Sequence, residues 1–188
     1  MSQAVETIAV IGASELGCRV ASLALGAGFR TILEDVSPEA LERGVAAIRE
    51  KLHAMAARDG EANTEEWMKR LATARSAEDA AREADLIIEC TADELEMKLE
   101  LFTIFDKFAK PAAILASTTE TISISDLAEM TFCQERCVGM RFRSDGAATR
   151  VEVATGRGTS DETVERCREV ARRVEFFQSN AAQRQDER

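Results

Sequence analysis

The sequence predicts a doubly wound α/β fold, with a mostly parallel sheet and an inserted helical hairpin. Two observations predict it. Apolar runs of strand length at residues 8–11, 29–33, 85–89 and 113–117 alternate with longer stretches of helical period, as in parallel sheets covered on both faces. The first run also breaks at a glycine and passes directly into a helix. A chain of 188 residues, 45% of them hydrophobic, can bury the core of one ordinary domain.

The first unit reads Ile-Ala-Val-Ile-Gly-Ala-Ser-Glu-Leu-Gly over residues 8–17. In the pattern G-x-G-x-x-G the first glycine makes a tight turn, the second admits a pyrophosphate and the third packs helix on strand. Gly12 and Gly17 fill the outer places and Ser14 the middle one, so Gly12, Ser14, Glu15, Leu16 and Gly17 form the candidate phosphate cradle. A helix over 18–27 ends at Gly28, and a second strand stops at Glu34-Asp35. Asp35 stands 23 positions beyond Gly12, close to the offset of about 20 at which an acid reaches a ribose hydroxyl. Together these predict a Rossmann-type NAD(H) site. Ser14 adds a Cβ and Glu15 a negative charge where phosphates would sit, which predicts weakened affinity. Asp35 without an arginine beside it favours NAD over NADP.

Ser37-Pro38 opens a long helix to about residue 56, with Leu41, Val45, Ile48 and Leu52 as its apolar stripe. Asp59-Gly60-Glu61 breaks it, and a second capped helix starts near Thr64 with Trp67 and Leu71 turned inward. These make the inserted hairpin, about 38–73. A strand near 71–75, a helix capped by Ser76 and running to Glu83, the strand 85–89, a helix 93–108 and the strand 113–117 follow. Residues 138–142 and 151–153 read as two further strands, possible antiparallel partners, and Thr159-Ser160-Asp161 caps a helix to Arg173. Residues 174–177 read as an edge strand. The domain is expected over 1–178, with a polar tail at 179–188.

The formal charge of −10 leaves no basic stripe for a phosphate backbone, so no nucleic acid partner is expected. No apolar run is long enough to span a bilayer and the first seven residues lack a signal pattern, which predicts a cytoplasmic protein with no membrane partner. Cys18, Cys90, Cys133, Cys137 and Cys167 are odd in number and lack metal-type pairing, so neither disulfides nor a metal site are expected. The one histidine, His53, reads as a helix-surface or half-buried residue.

The chain resembles the NAD-binding domain of the 3-hydroxyacyl-CoA dehydrogenase family. The resemblance runs through Ile11-Gly12, Gly17, residues 33–37 (Leu-Glu-Asp-Val-Ser), 84–89 (Ala-Asp-Leu-Ile-Ile-Glu), 95–98, Leu101-Phe102, 114–117, Val138-Gly139-Met140, Val151-Glu152-Val153 and 159–163. It implies that Asp93 and Lys98, five positions apart, stand beside the nicotinamide end of NAD, and that Thr118 lies at the same site. By itself Lys98 reads equally as a solvated helix lysine paired with Glu94. The family's chemistry uses a histidine oriented by a glutamate and assisted by a serine. The glutamate matches Glu152, whereas Arg141 and Glu120 occupy the histidine and serine positions. Arginine cannot serve as a general base near neutral pH, so an ion-pair cluster of Glu120, Arg141 and Glu152 is expected in place of the catalytic trio. A chain without the family's C-terminal helical domain is expected. A homodimer is expected to cover the surface this leaves, with Phe176-Phe177 as candidate contacts, and acyl-CoA or another small anion is a candidate ligand.

These features predict an NAD(H)-binding domain with impaired catalysis, acting as a binding or sensor module. The alternatives are a weakly active 3-hydroxyacyl-CoA dehydrogenase, or a reductase whose anionic substrate is held by Arg141 and Arg143, and a scaffold that no longer binds NAD.

Overall fold

The computed structural model describes residues 4–59, 63–144 and 149–183. In chain order the elements are β1 Thr7–Ile11, α1 Glu15–Gly26, β2 Arg30–Glu34, α2 Pro38–Asp59, α3 Thr64–Met68, β3 Leu71–Thr73, α4 Ala77–Glu83, β4 Leu86–Glu89, α5 Leu95–Phe108, β5 Ile114–Ser117, α6 Ile124–Ala128, β6 Cys137–Ser144, β7 Thr149–Thr155 and α7 Asp161–Gln183. A 3₁₀ turn, Gln134–Arg136, leads into β6.

Seven strands form one sheet in the order β3-β2-β1-β4-β5-β6-β7. The first six run parallel, and β7 returns antiparallel to β6. Strand order reverses between β1 and β4, and in such sheets ligands bind outside the strands' C-terminal ends at that point. Side-chain alternation splits the core in two. Ile8, Val10 and Leu33 face α1, α2 and α7, while Ala9, Ile11 and Ile32 face α4 and α5. Both faces are therefore dry, as continuous apolar strands require.

The hairpin of α2 and α3 is pinned in two places. Asn63 caps α3 by accepting from the Glu65 amide, and the Thr64 hydroxyl lies 3.1 Å from the ring of the exposed His53. Trp67 then meets Phe177 of α7 edge to face, with ring centroids 5.4 Å apart. Phe177 also fills the space that a side chain at Gly26 would need.

One expected element is corrected. Residues 174–177, read as an edge strand, and residues 179–183, read as tail, belong to α7. Cys167, Val170, Ala171 and Val174 are buried at helical spacing, so the period continues through the two phenylalanines whose β propensity suggested a strand. The short α6 was not anticipated. Gly60, Glu61, Asp145 and the tail at 184–188 lie outside the described residues.

Each outer strand carries a local device. β3 is only three residues long. On β7 the Val151 amide is taken by the carboxylate of Glu175, which reaches across from α7 at 2.8 Å. All five cysteines are free and buried.

Candidate functional site

The site lies where β1 and β4 end. Gly12 has φ +103°, a left-handed conformation that favours glycine. A Cβ on Gly17 would sit 1.9 Å from the Gly12 carbonyl oxygen, so α1 can lie this close to the strand end only with glycine there. Ser14, at the middle position, has φ −64° and needs no special backbone freedom. Its hydroxyl donates to the Cys90 carbonyl at 3.0 Å and accepts from the Gly17 amide at 3.1 Å. Ser14 thus caps α1 and ties it to the end of β4, while taking up one amide that would otherwise face a ligand. Leu16 is partly buried against the core. Glu15 faces a separate groove of about 340 Å³ that also holds Arg43 and Lys51.

Asp35 accepts from the Ala13 amide at 2.8 Å and the Ser37 amide at 2.9 Å. It therefore joins the glycine turn to the start of α2. A pocket of about 390 Å³ opens beside it, lined by Gly12, Glu34, Asp35, Glu78 and Thr91, with Met97, Leu101 and Ile104 of α5 opposite. Arg75 also lines this pocket, so Asp35 is not without a nearby arginine. Sequence proximity could not show this, because Arg75 arrives from the β3–α4 turn.

At the other end of the cleft, Lys98 is 1% exposed. It is neither a solvated lysine nor a partner of Glu94. Its ammonium donates to both carboxylate oxygens of Glu89, at 2.8 and 2.7 Å, and lies 3.4 Å from the Thr91 carbonyl oxygen. Glu89 is completely buried and also accepts from the Ser117 hydroxyl and from the Thr91 amide and hydroxyl, each at 2.6 Å. Glu89 was missed as a site residue. The signal was an acid closing the otherwise apolar run Leu86-Ile87-Ile88, at the point where a parallel strand meets the cleft.

Asp93 lies 3.7 Å from the Lys98 ammonium and accepts from the hydroxyls of Thr119 and Thr121, at 2.5 and 2.8 Å. Burial alone would raise its pKa, but these hydrogen bonds and the Lys98 charge outweigh it and hold the carboxyl below its usual range. Thr118 is buried and donates from both its amide and its hydroxyl to the Glu89 carbonyl, each at 3.0 Å.

The ion-pair cluster forms around a different arginine from the one expected. Arg141 and Glu152 are register partners across β6 and β7, but the Arg141 Nε donates to the Thr119 carbonyl at 2.9 Å, with the nearest Glu120 oxygen at 3.9 Å. Arg143 bridges the two acids, at 2.7 Å from Glu120 and 3.3 Å from Glu152. Its side chain projects to the same side of β6 two residues on. Hydrogen bonding to Glu152 and the charge of Glu120 hold its pKa above the ordinary value. Among the described residues, no group of three or more His, Cys, Asp or Glu side chains could hold a metal ion.

A family model described as 3-hydroxyacyl-CoA dehydrogenase, NAD binding domain, matches residues 7–176. The chain belongs to this family. It is 33% identical over 162 residues to the probable 3-hydroxybutyryl-CoA dehydrogenase of Bacillus subtilis (strain 168), an alignment covering 85% of this chain and 56% of that protein. It is 34% identical over 169 residues to the 3-hydroxyadipyl-CoA dehydrogenase of Escherichia coli (strain K12), covering 88% of this chain and 35% of that one. The crystal structure of 3-hydroxybutyryl-CoA dehydrogenase from Escherichia coli K12 matches with a TM-score of 0.85 and 31% identity, over 92% of this chain and 37% of that one. The chain spans 56% and 60% of the length of the two 3-hydroxybutyryl-CoA dehydrogenase relatives from Bacillus subtilis and Bradyrhizobium diazoefficiens.

Membership of this family implies NAD(H) use, and the residues at the glycine turn fit the dinucleotide. The left-handed Gly12, the close approach at Gly17 and the first-turn amides of α1 form a main-chain cradle. Among the described residues, no helix is long and apolar enough to cross a membrane.

Proposed function

We propose that this domain binds NAD(H) without carrying out the family's proton-coupled hydride transfer, and that it works as a binding or sensor module. The observation that carries the reading is Arg141. Its guanidinium cannot give up a proton near neutral pH, and it is anchored on the Thr119 carbonyl. The chain's one histidine, His53, is instead engaged with Thr64 in the hairpin. A nicotinamide ring, when bound, supplies or accepts hydride. The chain's own residues would hold the dinucleotide through the main chain of the cradle at residues 12–17, through Asp35, and at the other end of the cleft through Asp93, with the buried Lys98 positioned 3.7 Å behind it. The capping role of Ser14 supports weakened affinity, because one amide donor is already used.

Calorimetric titration with NADH, NAD, NADP and acetyl-CoA tests the binding reading, followed by NADH turnover with acetoacetyl-CoA. Binding of NADH that is lost in Asp35→Ala, with no turnover, is the expected result. Turnover at a rate typical of the family would overturn it, and absence of NADH binding would leave the domain as a scaffold.

A second reading rests on Arg141 and Arg143, which share one side of β6 with Arg143 half exposed. Two guanidiniums on one side of a strand suit a carboxylate, and the reaction would be reduction of a small oxo acid. Oxidation of NADH on adding such an acid, abolished in Arg143→Ala, would establish it. The groove at Arg43 and Lys51 supports a small anion or an acyl-CoA as a further ligand. Phe176, 68% exposed on α7, supports a homodimer in which a second copy covers it. Sedimentation of the parent and Phe176→Ser tests that.

A further inference from the structure

The pocket beside Asp35 contains a carboxyl group that the fold does not use. Glu34 ends β2 and is 5% exposed. Strand alternation puts it on the Ile32 side of the sheet, under α4, and it lines the pocket of about 390 Å³. Among the described residues, its side chain makes no hydrogen bond or ion pair. An ionised carboxylate held this way would be costly. The charged groups facing it are Asp35 from the turn after β2, Arg75 from the turn after β3, Glu78 from α4 and Glu100 from α5. The ends of β1 and β4 contribute only Gly12 and Thr91. Burial, reinforced by the charges of Asp35 and Glu78, pushes the Glu34 carboxyl up to about 7.

We propose that Glu34 is a specificity residue of this pocket: as the neutral acid it donates a hydrogen bond to an acceptor atom of a nucleoside seated over β2, and as the carboxylate it repels the nucleotide. An acidic lining that repels a phosphorylated ligand when fully ionised becomes a selective one once a single member carries a proton. A purine offers ring-nitrogen acceptors on its edge, and the apolar wall of Met97, Leu101 and Ile104 suits the face of a flat base. The proposal rests on the reading that this pocket takes the adenosine half of a dinucleotide.

The test is calorimetry with 5′-AMP and with NADH on the parent chain, Glu34→Gln and Glu34→Leu, from about pH 6 to about pH 8, with melting curves to show that each variant folds. If only the protonated form binds, parent affinity for both ligands falls about tenfold across that interval, as the competent fraction falls. Glu34→Gln keeps a donor and no charge, so it should hold the low-pH affinity at every pH. Glu34→Leu should also be flat with pH, but several-fold weaker than Glu34→Gln. If NADH binds with the same pH profile in the parent and Glu34→Gln, the role of Glu34 is overturned while dinucleotide binding stands. If 5′-AMP shows the profile and NADH does not bind, the nucleoside contact stands and dinucleotide binding falls. If neither binds at any pH, both fall.

Discussion

The two ends of the cleft are built from different materials. At the glycine turn the decisive features are main-chain ones: the left-handed Gly12, the contact of Gly17 with the Gly12 carbonyl, and amides held in place by Asp35. At the end formed by β5, β6 and β7, everything depends on individual side chains, and there Arg141, Glu120 and Arg143 have produced an ion-pair arrangement. A cradle made of backbone depends little on the side chains it carries, and Ser14 enters it with an ordinary φ of −64°. A general base does not survive exchange of its single imidazole for a guanidinium. On the proposed function, binding persists in the fold while the family's proton transfer is lost.

That contrast can be broken most forcefully at Lys98. Replacing it with methionine leaves the fully buried Glu89 without its cation and should cost about 3–5 kcal/mol, read as a lowered denaturation midpoint. An unchanged midpoint would mean that the side-chain network of that end is dispensable. Gly17→Ala attacks the other end, where the new methyl meets backbone rather than a movable side chain. A loss on the order of 3 kcal/mol is expected, together with loss of NADH binding.

Glu34→Gln should act in the opposite direction, and only above acidic pH. The folded chain keeps the Glu34 proton up to about pH 7, whereas the ordinary value is 4.5. Folding therefore binds a proton in that window, and the parent loses stability as pH rises through it. The variant should match the parent near pH 4 and exceed it by roughly 2–3 kcal/mol above pH 7. Thermal melts across pH would show the divergence, and parallel curves would refute it. Asp35→Ala releases the Ala13 and Ser37 amides, for about 1 kcal/mol of stability and a larger proportional loss of NADH affinity. Arg143→Ala should be the mildest, because its ion pairs with Glu120 and Glu152 are about half exposed. Its melting temperature should stay within measurement scatter of the parent.

The same division explains what could be read from the sequence. β1, β2, β4 and β5 were legible because strands covered on both faces are nearly all apolar, and the glycine spacing located the cradle. The fate of residues 174–177 was not, because Phe176-Phe177 suits a strand as well as a helix, and only the burial of Val170 and Val174 on one face decides between them. Arg141 was correctly assigned to the strand position, but its partner was not, since two arginines two residues apart compete for the same acids. Lys98 was legible as a position and illegible as a contact. Its partner Glu89 is nine residues away, on the strand beneath, and only the fold brings them together.

The contact of Glu175 with the Val151 amide has a consequence for the behaviour of the protein in solution. An open sheet exposes two rows of unpaired peptide groups, each a template on which another extended chain can grow. Here one margin is too short to recruit a partner, and on the other a carboxylate from α7 already occupies a peptide donor while Arg150 and Glu152 add charge to the same strand. The domain should therefore stay dispersed at concentrations where an uncapped sheet would grow into fibrils, and Glu175→Ala should be the substitution that first seeds them.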